Sequence, residues 1–160
     1  TQRGERWNAA SLLFMRWPMI RDIKQNFLTP EVYEIYSLCM YTPTYEKFAK
    51  KAHAYLSNPG TAIYGFYANH ALLGVIVLQS TAPSTAEIVG IAVEHSHQHR
   101  HIGRNLIQYA VTAGRYPELY AETDDDAVSF YERCGFETEA FQATYNGIPR
   151  RRYRCIYHSS

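Results

Sequence analysis

Four of the seven histidines fall at alternate positions in E-H-S-H-Q-H-R-H-I-G, residues 94–103. Alternate residues of a strand share a face, so His95, His97, His99 and His101 on a strand would line up as metal ligands. No cysteine or second carboxylate cluster stands at ligand spacing, however, and an apolar helical period begins directly after the stretch. A loop that enters a helix does a different chemistry: its unpaired backbone N–H groups and the positive end of the helix dipole hold phosphate. Gly103 lets backbone come close to a ligand, and Arg100 and Arg104 add charge. Neither GxGxxG nor GxxxxGK[ST] occurs, so dinucleotide and P-loop readings have no support. The expectation is an anion held by backbone, and no metal.

Other reactive residue types are placed less informatively. Asp124, Asp125 and Asp126 precede a helical segment, where carboxylates cap the first turn and meet the dipole favourably. Cys134 would need a partner base to act as a nucleophile, and the sequence offers none that can be named. Arg150, Arg151, Arg152 and Arg154 form a basic run that reads either as a solvated face or as a lure for an acidic ligand.

The elements that must position these residues follow from periodicity. A strand is predicted at 19–23, and helices at 30–40 and 44–56, the second stopped by Asn58-Pro59-Gly60. Strands at 62–68 and 72–79 are joined by Asn69-His70, and another runs over 87–93. A helix extends from 102 to Gly114, then come a strand at 119–122, a short helix at 127–133 closed by Gly135, and a hairpin of 136–144 and 151–158 across Asn146-Gly147. This order predicts an α/β protein, a mixed sheet covered by helices. Residues 1–18 read as an extension, with a single domain over 19–160.

Composition narrows the partners. With 16 basic and 15 acidic residues the net charge is +1, so no general pull toward nucleic acid or an anionic membrane is expected. Apolar residues at 46% against 19% charged fit a folded chain rather than a disordered one. The longest apolar stretch, 71–78, falls short of the roughly 20 residues a membrane helix needs. Cys39, Cys134 and Cys155 lack CxxC spacing, which argues for a reducing compartment and so for the cytoplasm.

Two motifs carry a family resemblance. E-I-V-G-I-A-V-E-H-S-H-Q-H-R-H-I-G-R-N-L-I, residues 87–107, resembles the central motif of the GNAT N-acetyltransferases, in which a strand feeds a Q/R-x-x-G-x-G/A loop and a helix. Gln98 and Gly103 match it, and His101 replaces the first glycine. D-D-D-A-V-S-F-Y-E-R-C-G-F, residues 124–136, resembles the later N-x-x-A-x-x-x-Y-x-x-x-G-F motif, with Asp124 where asparagine is common. The predicted element order is similar to the family's over residues 19–158.

The resemblance implies the GNAT-type acyl-CoA N-acyltransferase fold, a mostly antiparallel sheet split at the cofactor site with helices on both faces. It implies direct transfer of an acetyl group from acetyl-CoA to a primary amine of a small molecule or peptide. The pyrophosphate would lie on the backbone N–H groups of Gln98, His99, Arg100, His101, Ile102, Gly103 and Arg104. The pantetheine would enter the split between strands 87–93 and 119–122, bond main chain at Ile91 and Val93, and touch Asp124. The Ile91 N–H would polarise the acetyl carbonyl. A homodimer is compatible with all of this. The alternative from another class is a non-catalytic CoA-binding regulatory module of the same fold, suggested by the departures at His101 and Asp124.

Such a transfer has two proton problems. An alkyl amine near pKa 10.4 is protonated at pH 7, and freeing its lone pair costs roughly 4–5 kcal/mol. The departing thiolate, with a pKa of about 8.5, gains from an acid. By the resemblance Tyr131 occupies the acid position and Glu87 the base position, with Glu122 or a water chain as competitors. The bland readings are a core aromatic for Tyr131, one of 14 tyrosines, and a strand-end carboxylate for Glu87. His101 carries a further expectation: if its position needs positive φ, histidine is more strained there than glycine.

Overall fold

The computed structural model describes residues 19–159; the extension expected at residues 1–18 lies outside the described residues. Seven strands form one sheet in the order β1-β2-β3-β4-β5-β7-β6. They are β1 Met19–Asp22, β2 Thr61–Ala68, β3 Ala71–Ala82, β4 Thr85–Val93, β5 Glu118–Thr123, β6 Glu137–Tyr145 and β7 Ile148–His158. Every pairing is antiparallel except β4 with β5, which is parallel. Helices α1 Pro30–Tyr36 and α2 Tyr45–Ser57 cover one face, while α3 Ile102–Thr112 and α4 Val128–Arg133 cover the other.

Local chemistry sets most boundaries. Thr29 caps α1 by accepting from the Val32 N–H at 3.3 Å, with Pro30 in the first turn, and Thr44 caps α2 from Lys47 N–H at 3.1 Å. Asn69 and His70 both take positive φ, 53° and 65°, as a two-residue hairpin requires. At the end of α4, Phe136 N–H bonds Tyr131 O and Gly135 N–H bonds Glu132 O, each at 3.0 Å. Gly135 sits at φ 93°, the left-handed stop that glycine allows. One expected helix differs: 30–40 is α-helical only to Tyr36, then tightens into a 3₁₀ turn at Ser37–Cys39. Its N–H bonds shift to nearer carbonyls, and the chain turns down onto β4.

Side-chain alternation along β3 explains its unbroken burial from Leu72 to Leu78. Val75 and Val77 enter the core beneath α1 and α2, with Phe27, Phe48 and Ile63; Ile76 and Leu78 enter the core beneath α3 and α4, with Ile102, Leu106 and Leu119. A strand covered on both faces must be apolar throughout. Strands β6 and β7 are instead exposed or half-buried along their length, with Cys155 the one buried position. Among the described residues no helix is long and apolar enough to cross a membrane.

Candidate active site

The sheet opens at one place. β4 and β5 pair only at Thr85–Glu118, Ala86–Leu119 and Glu87–Tyr120; beyond that register they part. β4 also carries a bulge, since Val77 faces Gly90 while Leu78 faces Ile88, leaving Val89 unopposed. A bulge adds local bend and twist, which turns the rest of β4 away from β5. The opening is a cleft of about 830 Å³, within the range of small-molecule sites. Its walls are residues 88–91 and Val93 of β4, Glu122 and Thr123 at the end of β5 with Asp124 after them, and Phe130 and Tyr131 of α4.

One end of the cleft is the entry to α3. The histidines do not share a face there: His95–His97 form a 3₁₀ turn, and His99 and His101 take φ of 67° and 65°. Among the described residues no three His, Cys, Asp or Glu side chains gather as a metal group. The Gln98 amide holds the loop to β4 through Val93 O at 3.1 Å. The first intrahelical bond of α3 runs from Asn105 N–H to His101 O at 2.9 Å, so the N–H groups of Ile102 and Gly103 have no carbonyl partner within the helix. This is an anion-binding geometry. His101 is the left-handed N-cap, the strained conformation expected if histidine replaces glycine there.

Several expected residues take unexpected places. A Cβ on Gly103 would meet the Phe130 ring at 2.9 Å, so its smallness serves the packing of α3 on α4. The Arg104 guanidinium donates to Arg133 O at 2.7 Å, tying α3 to the end of α4. Gln98, His99, His101, Ile102, Gly103, Arg104 and Asp124 line the cleft, whereas Arg100 is not on its wall. Asp124 accepts the Asp126 N–H at 3.1 Å in a turn ahead of α4, whose N-cap is Ala127 without a side-chain cap, so the acidic run shapes the approach to the helix and does not cap it as expected.

The two expected proton-handling residues are placed differently. Tyr131 is 6% exposed, packs edge-on to Phe130 and Phe136, and lies on the cleft wall. Among the described residues its hydroxyl has no hydrogen-bond partner. Burial, then the nearby thiols of Cys155, Cys39 and Cys134, raise its pKa far above the ordinary phenol value, so it carries its proton. Glu87 is the last β4 residue paired with β5 and sits just below the split rather than on the cleft wall. Tyr120 donates to it at 3.4 Å. Glu122 does line the cleft, facing Arg154 at 3.6 Å.

Residues 38–41, in the 3₁₀ turn and just after it, complete the wall and carried no chemical signal in the sequence. Only their position after a helix that ends early brings them over β4. Cys39 is exposed on the cleft wall, and desolvation by the protein packed around its thiol pushes it up to about 11, against the Ile91 backbone, which favours the thiolate.

A model of the acetyltransferase (GNAT) family matches residues 29–136. The chain is 35% identical over 85 residues to an uncharacterized N-acetyltransferase, YvbK, of Bacillus subtilis (strain 168), covering 48% of this chain and 54% of that protein. It is 31% identical over 86 residues to a streptothricin acetyltransferase of Escherichia coli, covering 50% and 49%. These matches span about half the length of each relative. A crystal structure of a Bacillus subtilis acetyltransferase in complex with CoA superposes with a TM-score of 0.62 at 25% identity, over 82% of this chain and 93% of that one.

Proposed function

The chain belongs to the acetyltransferase (GNAT) family, and from that premise we propose that it moves an acetyl group directly from acetyl-CoA to a primary amine of a small molecule or peptide. One observation carries the reading: the cleft that opens where β4 leaves β5 joins a helix N-terminus at one end to a buried, proton-bearing phenol on its wall. The cleft's size, the N–H groups of Ile102 and Gly103 at the start of α3 and the CoA-bound structural relative support acetyl-CoA as the donor.

In this mechanism the pyrophosphate rests at the α3 entry, between Gln98 and Arg104, where backbone N–H groups and the helix dipole offset its charge. The pantetheine lies along β4 beside Ile91 and Val93. The acetyl carbonyl turns toward the Ile91 N–H, which stabilises the oxyanion as the amine attacks. The C–N bond forms, the C–S bond breaks, and the departing thiolate takes the Tyr131 proton, which is replaced from solvent through the cleft as the proton gathered from the amine is released. Donation by a positioned acid contributes typically 10²–10⁴-fold. Glu87, oriented by Tyr120, receives the amine proton at the foot of the split; Glu122 is the competing base because it stands on the cleft wall.

Calorimetry with acetyl-CoA tests the donor, and absence of binding at millimolar concentration would sink the proposal. Release of free CoA thiol across amines, amino acids, aminoglycosides and peptides identifies the acceptor, with streptothricin included because the Escherichia coli relative bears that name. Glu87→Gln should lower kcat about a hundredfold or more, the range for lost acid–base catalysis. If only Glu122→Gln does so, the base is Glu122.

A further inference from the structure

Tyr36 takes no part in the chemistry above, yet it touches the irregular part of β4. Gly90 follows the unopposed Val89 of the bulge. A Cβ built at Gly90 would lie 2.6 Å from Tyr36 Cζ and 2.8 Å from Cε1, with Oη nearer still. The Tyr36 ring therefore fills the volume that any other side chain at position 90 would need. It has little room to retreat. Tyr36 is 2% exposed, meets Phe27 edge-on at 5.2 Å, stands at 89° to Tyr55, and shares a 3.1 Å hydrogen bond with the Tyr55 hydroxyl. Immediately after it, the turn Ser37–Cys39 carries Leu38 and Cys39 into the cleft wall.

The bulge matters because strand side chains alternate. One extra residue at Val89 puts Ile91 and Val93 on the α3 side and Ala92 in the core beneath α1 and α2. Without it, every residue from 90 onward would exchange faces, and the N–H groups presented to the split would change with them.

We propose that Tyr36 is a positioning residue whose ring, seated in the gap at Gly90, sets the β4 bulge and so the direction of the Ile91 N–H in the cleft. The inference rests on the acyl-transfer reading of that cleft. It makes the helical layer behind β4 part of the catalytic geometry, although no atom of Tyr36 meets the reacting groups.

The test is a rescue. Gly90→Ala should lower kcat at saturating acetyl-CoA at least tenfold while the KM for acetyl-CoA moves less than threefold, because the carbonyl donor is displaced and the pyrophosphate site is not. Adding Tyr36→Leu, which vacates the gap, should return at least threefold of that loss. Tyr36→Phe keeps the ring in place and should retain kcat within threefold. The Ile91 amide resonance, which reads the bulge without turnover, should move in Gly90→Ala and return in the double variant. Near-wild-type kcat in Gly90→Ala, a double variant no better than the single one, or a tenfold loss in Tyr36→Phe would each overturn the proposal. A Gly90→Ala chain that does not fold leaves Tyr36→Phe to decide. Wild-type turnover separates the two ideas: its absence defeats acyl transfer, and the amide resonance then decides the role of Tyr36.

Discussion

Replacing Tyr131 by phenylalanine removes one oxygen and keeps the packing. The ring is 6% exposed and holds edge-on contacts with Phe130 and Phe136 at 5.2 Å, all of which phenylalanine can make. Because the hydroxyl has no partner among the described residues, its loss leaves no donor or acceptor stranded. Stability should therefore hold within about 0.5 kcal/mol, since deleting a buried group that makes no bond forfeits none. Catalysis should not hold. Losing a general acid costs at least about 10²-fold in kcat, equivalent to about 2.7 kcal/mol at 1.36 kcal/mol per decade. The assay is thioester consumption under saturating acetyl-CoA, beside calorimetric affinity and urea denaturation. Acetyl-CoA affinity should stay within twofold.

The raised pKa adds a pH signature. Below about pH 10 the phenol is protonated in both folded and unfolded chains, so it contributes no slope to stability. Above that value the unfolded chain ionises while the buried phenol does not, and stability falls as pH rises; Tyr131→Phe should shrink that slope. In the rate profile the acid stays loaded, so Tyr131 imposes no alkaline limb between pH 7 and about 10. A folded Tyr131→Phe protein with kcat within threefold of wild type would reduce Tyr131 to a core aromatic. An alkaline limb near pH 8 that vanishes in the variant would refute the burial argument.

His101→Gly replaces a left-handed histidine at φ 65° by the residue that adopts this conformation freely. Acetyl-CoA affinity by calorimetry should stay within threefold or tighten, and a tenfold loss would show that the imidazole itself binds the ligand. Gly135→Ala forces a side chain into φ 93°, with Tyr157 no nearer than 3.7 Å. Strain alone acts there, so urea denaturation should show a loss of about 1–2 kcal/mol with acetyl-CoA affinity unchanged.

Features that depend on a few neighbouring residues were legible in the sequence. Thr29-Pro30 opens a helix, Asn69-His70 and Asn146-Gly147 turn hairpins, and Gly135 stops α4, because caps and positive-φ turns are satisfied within four or five residues. The apolar periods of α3 and β3 follow from which faces are covered. His101, standing where the motif has glycine, marked the place where a positive φ would be strained, and the structure has φ 65° there.

Contacts between distant segments were not legible. Gly103 reads as a ligand-approach glycine until Phe130, 27 residues later, is found against it. Arg104 reads as a phosphate ligand until its guanidinium is seen on Arg133 O. Glu87 and Glu122 are equivalent carboxylates in sequence, and only the point at which β4 leaves β5 puts one below the split and the other on the cleft wall. By itself the sequence determined the order of the elements, most of their bounds and the loop that turns into α3 at His101, because those rest on local hydrogen bonding and periodicity. Tertiary structure decided the bulge at Val89, the tyrosine behind Gly90 and the wall formed by residues 38–41. These arise from steric fit between α1, β3 and β4, and volume shared by separate segments has no signature in any one of them.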